Sequence, residues 1–247
     1  MLFFWSKQLP QSDGFTACLL NMANMLLGFS ASNHMNLAMF SALRRVSVLM
    51  TLVAQWYLSK KTFSFSIVAS VNVMVVGSLL AMVHDKTFEL KGYILVMLHN
   101  VLTTASQIAS KSAMDNGLDK ECLLFYSEMS AALVSLTFCL SDNHSVIDFE
   151  NWSQLHFVVL FVLSTILTPL VHYSTWWVLE KNSPLTLAMT TSIKSGVMCL
   201  MVCLGLFDQT YKWSLFNFMG LQLSTVASLF YVYTEHTHSK ENIIVSP

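Results

Sequence analysis

The chain has 247 residues with a formal net charge of −1; 54% of the residues are apolar and only 11% are charged. A soluble domain carries about 25% charged residues, so this chain has too little charge to cover a water-soluble globule. The near-neutral balance also argues against a basic face for nucleic acid. With a mean hydropathy of +0.57, the sequence predicts an all-α integral membrane protein.

Apolar runs of about 20 residues recur along the chain between short polar segments, and runs of this length match a bilayer core of about 30 Å. Such runs form helices in hydrocarbon, because every backbone polar group must be paired internally. They do not alternate as barrel strands would. A bundle of about eight spans is predicted, roughly at 14–33, 37–58, 65–84, 92–110, 122–140, 155–177, 185–207 and 214–233.

These spans predict one transmembrane domain over residues 1–234 and a polar tail over 235–247. The first ten residues lack the features of a cleavable signal peptide, so the first span is expected to be an uncleaved anchor. An even number of spans places both termini on one side, and the excess of lysines there predicts that both are cytosolic. The opposite side includes a loop with N-x-S glycosylation sequons at Asn143 and Asn151.

The last predicted span carries a face of small residues. Gly220, Ser224 and Ser228 recur at every fourth position, which places them on one side of a helix. Small residues at this spacing let two membrane helices approach closely. We therefore expect the last span to pack tightly against another helix.

Four ionisable residues lie well inside the predicted spans: Arg44, Arg45, Glu128 and Lys194. Each costs about 2.5–3.5 kcal/mol or more near a helix centre, so each needs a partner or a wet cavity. In one interpretation Glu128 pairs with Lys194 and the arginines bond carbonyls at helix ends. In the other, a polar central cavity with surplus positive charge binds a dianionic ligand such as a pyrophosphate, for which arginine and lysine are suitable partners.

Polar side chains cluster around these charges in the fourth, fifth and seventh spans. Taken singly, each hydroxyl or amide is also explained by helix packing, but their clustering favours a binding cavity. The candidate binding residues are Arg44, Arg45, Asn100, Thr103, Tyr126, Ser127, Glu128, Thr191, Ser192, Lys194 and Ser195.

Motifs of covalent chemistry are absent from the sequence. There is no G-x-x-x-x-G-K-[ST] P-loop, no H-E-x-x-H and no G-x-S-x-G, so neither ATP-driven pumping nor an enzyme is predicted. Cys199 and Cys203 share a helix face, but no second pair of ligands accompanies them, so no metal site and no cofactor are expected.

Several boxes of the sequence resemble those of the Golgi and endoplasmic-reticulum nucleotide-sugar transporters. Asn36–Arg45 reads NLAMFSALRR and resembles their N-x-x-M-F-x-x-L-R-R box. Lys60–Ser64 resembles a cytosolic turn, Thr191–Ser195 resembles the G-x-I-K-N substrate motif, and 213–233 resembles the last span. The similarity runs from about residue 6 to about 235 and is greatest to the branch of UDP-glucuronic acid/UDP-N-acetylgalactosamine and GDP-mannose carriers.

The resemblance implies an antiporter of the drug/metabolite transporter superfamily, with ten helices in two inverted halves. Such a carrier exchanges a cytosolic UDP- or GDP-sugar for luminal nucleoside monophosphate by alternating access. It lies in Golgi or endoplasmic-reticulum membrane and can form a homodimer. By resemblance, Arg44 or Arg45 and Lys194 hold the phosphates. Tyr126, Ser127 and Glu128 contact the base, and Thr191 to Ser195 lie on the sugar side.

The sequence also departs from this family. Nothing matches the family's first two spans, so an incomplete version of the fold is expected. Where GDP-mannose carriers have F-Y-N-N the chain reads Phe125-Tyr126-Ser127-Glu128, and the G-x-I-K-N motif reads TSIKS, so base and sugar preference are not carried over. These departures keep an alternative open, namely a non-transporting pseudotransporter or a membrane trafficking protein on the same fold.

Overall fold

The computed structural model describes residues 12–35, 37–83, 89–141, 150–203 and 215–245, and the regular structure in these ranges is entirely helical. A short 3₁₀ helix spans Glu150–Ser153. The α-helices are α1 (Ser12–Asn33), α2 (Leu37–Leu43), α3 (Val46–Ser59), α4 (Phe65–Val83), α5 (Leu90–Asp115), α6 (Lys120–Ser141), α7 (Leu155–Lys181), α8 (Pro184–Cys203) and α9 (Leu215–Val245).

Helices occupy the described parts of the ranges in which spans were predicted, with two differences; residues 84, 204–207 and 214 of these ranges lie outside the described residues. The second range, 37–58, contains two helices, because α2 ends at Leu43 and α3 begins at Val46. The last helix continues to Val245, into the range predicted as a polar tail. By length and composition, three segments within the described ranges can cross a membrane, namely Asp13–Asn33, Phe65–Met82 and Leu155–Lys181.

The chain divides into two compact units. Unit 1 comprises Met1–Met22 and Ala109–Ser183, and so contains the start of α1, the end of α5, and α6 and α7. Unit 2 comprises Ala23–Ile108 and Pro184–Pro247, and contains the remaining helical segments. The apolar core of unit 2 is built by α3, α4, α8 and α9, from Val48, Leu52, Val71, Met74, Leu185, Ala188, Met189, Ala227 and Tyr231.

The small residues of α9 pack against α4, as the sequence predicted. A Cβ at Gly220 would lie 2.5 Å from the carbonyl oxygen of Gly77, and a Cβ at Gly77 would lie 2.6 Å from that of Gly220. The hydroxyls of Ser78 and Ser224 are 3.3 Å apart, and Ser228 donates to Met74 Sδ at 3.0 Å. The two backbones are therefore in direct contact, which is possible because neither glycine has a side chain.

Replacing Gly220 with valine is expected to destabilise unit 2. The new side chain meets backbone atoms of α4, which cannot rotate away, and overpacking of this kind costs about 1–3 kcal/mol or more. Thermal unfolding of the purified protein measures the loss. Val226→Ala is the matched control, since Val226 lies on the same helix with its side chain 62% exposed. An unchanged melting temperature for Gly220→Val would contradict the close packing of α4 and α9.

In unit 1, polar contacts tie the helix ends together. Lys120 at the start of α6 donates to Glu180 Oε2 near the end of α7 at 2.8 Å, and Lys111 of α5 donates to the Glu180 carbonyl at 2.9 Å. Asn116 donates to Asp13 Oδ2 of α1 at 2.9 Å. The hydrogen bond to Glu180 raises the pKa of Lys120 above its ordinary value, so this contact stays charged at neutral pH.

Candidate functional site

The two adjacent arginines lie at the break between α2 and α3. The backbone N–H of Arg45 bonds to Ala42 O at 3.2 Å, that of Ser47 to Arg44 O at 3.1 Å, and that of Val48 to Arg45 O at 3.1 Å. These bonds span three residues, as in a 3₁₀ turn, instead of the four of an α-helix. The Ser47 hydroxyl also donates to Arg44 O at 2.6 Å, and such side-chain bonds bend helices.

Asn100 supports this break from α5. In an unbroken helix the N–H of Ser47 would bond to Leu43 O, but here it bonds to Arg44 O instead. The side-chain amide of Asn100 donates to Leu43 O at 2.9 Å and takes the place of the missing donor. Asn100 is fully buried, and one N–H of its amide serves the helix break.

Replacing Asn100 with leucine is expected to lower the free energy of unfolding by about 1–3 kcal/mol, because the carbonyl of Leu43 would be left buried without this donor. Val101→Ala, at an exposed position next to it on α5, is the control and should unfold close to the wild type. Thermal unfolding of the two purified variants measures the difference in their stability. Equal stability would show that Asn100 is not needed at the break.

Arg45 is the more deeply buried of the two arginines, with only 1% of its surface exposed. Its Nη1 donates to Leu221 O at 3.0 Å and its Nη2 to Thr225 Oγ1 at 3.1 Å, so both contacts are with α9. A Cβ at Gly196 of α8 would lie 2.7 Å from the Thr225 side chain and 3.2 Å from Nη2, so a larger residue there would displace these side chains. The guanidinium therefore fastens the helix break to α9.

Arg44 and Lys194 have a different environment. The Arg44 guanidinium carbon lies 5.7 Å from the centre of the Phe40 ring, which stacks on His99 with ring centres 5.8 Å apart. Lys194 of α8 has an exposed side chain and is close enough to Arg44 for the two charges to repel each other. Within the described ranges, neither cation has a hydrogen bond or an ion pair. Two unpaired cations therefore share one region of unit 2.

The hydroxyls around Lys194 bond mainly to their own helix. Thr191 donates to Leu187 O at 2.9 Å, and Ser195 donates to Thr191 O at 3.1 Å. Ser192 donates to Ala188 O at 3.0 Å and is buried. Their hydroxyl protons are therefore used within α8, while the oxygen atoms can still accept a hydrogen bond.

Thr103, the remaining predicted residue of unit 2, contributes to the packing of α5 against α1. Its hydroxyl lies 2.8 Å from Asn24 Oδ1 and 2.8 Å from its own helix carbonyl at His99. His99 Nδ1 is 3.0 Å from the carbonyl of Asn24, which strengthens the same contact. Thr103 is buried, so these groups form a polar seam between two helices.

The other predicted residues, Tyr126, Ser127 and Glu128, lie on α6 in unit 1. Glu128 Oε1 is 2.6 Å from His172 Nδ1 of α7, and both side chains are 47% exposed. Tyr126 is half-buried, with its ring edge-to-face on Phe125. Within unit 1, Glu128 is therefore paired with His172.

His172 is the polar residue that the sequence reasoning missed. Ser164, Thr168 and His172 recur at every fourth position of α7, and this polar stripe in an otherwise apolar helix was the available signal. Of the predicted glycosylation sites, Asn143 lies outside the described residues, and Asn151 lies in the short 3₁₀ helix. Within the described ranges, no group of three His, Cys, Asp or Glu side chains could hold a metal ion.

No family model matches the chain, but curated proteins do. It is 32% identical over 225 residues to the UDP-sugar transporter UST74c of Drosophila melanogaster, covering 89% of this chain and 59% of that protein. It is 32% identical over 230 residues to the nucleotide sugar transporter SLC35D2 of Mus musculus, covering 92% and 70%. It is 28% identical to the UDP-sugar transporter sqv-7 of Caenorhabditis elegans, covering 93% and 70%.

The chain thus spans less than two thirds of the Drosophila relative. A solved crystal structure is similar to the chain with a TM-score of 0.64, over 90% of this chain and 76% of that one. At 14% identity this similarity concerns the fold alone. These relatives are named as transporters and not as enzymes, in agreement with the prediction from the sequence that the chain is not an enzyme.

Proposed function

Because the chain belongs to the nucleotide-sugar transporter family, we propose that it exchanges a cytosolic UDP- or GDP-sugar for a luminal nucleoside monophosphate by alternating access. The observation that carries the proposal is the pair Arg44 and Lys194. Both are cations inside helices or helix breaks of an apolar chain, and both lack a hydrogen bond or an ion pair within the described ranges. The two charges also repel each other. An arrangement of this kind is costly unless an anion binds there.

The phosphate groups of a nucleotide sugar are suited to this pair. A guanidinium presents several N–H donors in one plane and can bind a phosphate through two of them, while an ammonium acts as a compact point charge. The Phe40 ring lies under the Arg44 guanidinium and limits the positions that it can take. In this proposal Arg44 and Lys194 bind the phosphates, and Arg45 and Asn100 hold the helix break in place.

The roles of the other residues rest on the family resemblance. Thr191, Ser192 and Ser195 are proposed on the sugar side, where their oxygen atoms can accept hydrogen bonds from sugar hydroxyls. Tyr126, Ser127 and Glu128 are proposed as contacts of the base. Glu128 Oε1 is engaged by His172, which leaves its other carboxylate oxygen able to accept a hydrogen bond.

The proposed setting is a Golgi or endoplasmic-reticulum membrane, with both termini cytosolic and residues 1–234 forming one transmembrane domain. The fold would be an incomplete version of the ten-helix inverted-repeat transporter. The all-helical structure, the three segments able to cross a membrane and the names of the relatives support this proposal.

Exchange in proteoliposomes tests the function. The purified chain is reconstituted into vesicles preloaded with UMP, GMP or buffer, and uptake of labelled UDP-N-acetylglucosamine and GDP-mannose is followed. We expect uptake of at least one of them only when the matching monophosphate is inside. Binding of nucleotides without uptake would contradict exchange and favour the non-transporting alternative. Failure to bind any nucleotide would overturn the whole proposal.

A further inference from the structure

We propose that the turn between α3 and α4 binds the headgroup of an anionic phospholipid through Lys60, while the exposed aromatic side chains that flank the turn lie at the depth of the headgroups. The turn comprises residues 60–64 and belongs to unit 2. This contact is with the lipid around the chain, so it is separate from the binding of a transported ligand.

The outer face of α3 changes from apolar to aromatic to basic toward the end of the helix. Val53 is exposed, Trp56 is 61% exposed and Tyr57 is 75% exposed, while the opposite face packs into the core of unit 2. Lys60 directly follows the helix and is also exposed. Tryptophan and tyrosine are enriched at the level of lipid headgroups, and lysine side chains extend outward to the same level. The order along α3 is therefore that of a helix leaving the hydrocarbon at its aromatic residues.

The other side of the turn is held in place by the start of α4. The Ser64 carbonyl accepts hydrogen bonds from the N–H groups of Ile67 at 3.0 Å and Val68 at 3.2 Å. Phe63 packs against the apolar core of unit 2, whereas Phe65, the first residue of α4, is 85% exposed. Both helices that meet at the turn thus present exposed aromatic side chains next to it in sequence.

The backbone of Lys60 gives an independent reason to assign it a role. It has φ 50° and ψ 27°, in the left-handed region, and among the described residues no other non-glycine residue has a positive φ. This conformation is unfavourable for a residue with a Cβ, and glycine is the usual residue at such a helix end. Glycine would therefore suit folding better at position 60, so a lysine there is accounted for by a contact of its ammonium group.

The charge of this part of the chain favours an anionic partner. Together α3, the turn and α4 contain Lys60 and Lys61 and no aspartate or glutamate. The excess of lysines predicts that the turn is cytosolic, and anionic lipids give the cytosolic leaflet a negative potential that attracts basic residues next to membrane helices. A phospholipid with a net negative charge therefore fits the turn better than phosphatidylcholine, which is neutral overall.

Titration of the detergent-purified chain with dioctanoyl lipids tests the contact. A ligand that binds the folded state raises the melting temperature by mass action, so the rise reports the affinity for each lipid. We expect phosphatidylserine to bind at least about 5-fold more tightly than phosphatidylcholine, which is the contribution of one basic residue near an anionic membrane. The preference should decrease at high salt. Phosphoserine, which has the headgroup without acyl chains, should bind more weakly than the lipid.

Variants at position 60 separate charge from backbone conformation. Lys60→Gln should lose about 5-fold in affinity for phosphatidylserine and none for phosphatidylcholine, while Lys60→Arg should keep the preference. Lys60→Gly should lose the preference as well, yet unfold at or above the wild-type temperature without lipid, because glycine adopts the left-handed conformation freely. Lys91→Gln is the matched control, since Lys91 is an exposed lysine of unit 2 whose neighbour Tyr93 is buried. Its lipid preference should equal that of the wild type.

Equal affinity of the wild type for the two lipids would overturn the inference. An equal loss in Lys91→Gln and Lys60→Gln would also overturn it, because the charge of the whole surface would then be the cause. Phosphoserine bound as tightly as phosphatidylserine would indicate a site for soluble anions instead of lipid. Binding of UDP-glucose in phosphatidylcholine alone tests the proposed function separately, and Lys60→Gln should bind it as the wild type does. A chain that prefers phosphatidylserine but binds no nucleotide would contradict the proposed function and not the lipid contact.

Discussion

Replacing Lys194 or Arg44 with glutamine is expected to weaken nucleotide-sugar binding by about 10- to 100-fold, which is the loss of one charge-assisted contact of about 1.5–3 kcal/mol. Glutamine keeps a polar side chain but is shorter than lysine or arginine, so the change removes the charge together with part of the reach. Neither side chain is bonded to the protein within the described ranges, and the folded state should therefore survive. Equilibrium binding of labelled UDP-sugars to the purified variants measures the effect.

Lys61→Gln is the matched control for this experiment. Lys61 is an exposed lysine in the loop between α3 and α4, so the same change of charge is made away from the site. Its affinity should equal that of the wild type. The assignment of the phosphate site would be wrong if Lys194→Gln and Arg44→Gln bound nucleotide sugars as tightly as Lys61→Gln does.

Replacing Arg45 with glutamine is expected to lower the stability of the protein as its primary effect, whereas Arg44→Gln is expected to weaken ligand binding. The change removes two hydrogen bonds to α9 and leaves a small cavity, at a cost of about 2–4 kcal/mol. Arg44→Gln, at the next position, should unfold at or above the wild-type temperature without ligand, because it relieves the repulsion with Lys194. Thermal unfolding of both ligand-free variants tests this contrast.

Arg45→Lys is a conservative control in case Arg45→Gln does not fold. It retains the charge and a donor, so it should recover part of the stability and bind ligand nearly as the wild type does. If Arg45→Gln kept its melting temperature but lost affinity, Arg45 and not Arg44 would be the phosphate ligand. The two adjacent arginines thus serve as controls for each other.

Hydropathy predicted where helices occur because it identifies the segments that are apolar enough to lie in hydrocarbon. In that solvent a segment must pair its own backbone polar groups, and a helix does so. The close contact of α4 and α9 was also readable, since small residues at every fourth position describe a helix face without knowledge of its partner. Gly220 shows this well, because the partner, Gly77, was found only in the structure. Local pattern was sufficient for these features.

The break at Arg44 and Arg45 was not predicted, because it depends on a distant residue. Asn100 supplies a donor to Leu43 across a separation of 57 positions in sequence, and no periodicity reports such a contact. The sequence also left open which of the two arginines holds the phosphates, because the offset of about 100° between adjacent residues does not say which of them faces the interior. Their different roles follow from which of them meets Leu221 and Thr225.

The same limit applies to Glu128. Its charge inside a span demanded a partner, and Lys194 was the partner that the sequence suggested. In the structure, Glu128 pairs within unit 1 with His172, a residue that can be neutral or charged and was therefore not counted among the ions. A requirement for charge balance can be read from sequence, while the identity of the partner depends on how the helices pack.

A structure of the full chain with a bound UDP-sugar would locate the phosphate site. We expect the diphosphate to lie within hydrogen-bonding distance of the Arg44 guanidinium and the Lys194 ammonium, with Arg45 still bonded to Leu221 and Thr225. A nucleotide sugar bound elsewhere, with Arg44 and Lys194 free of it, would show that these two residues are not the phosphate ligands.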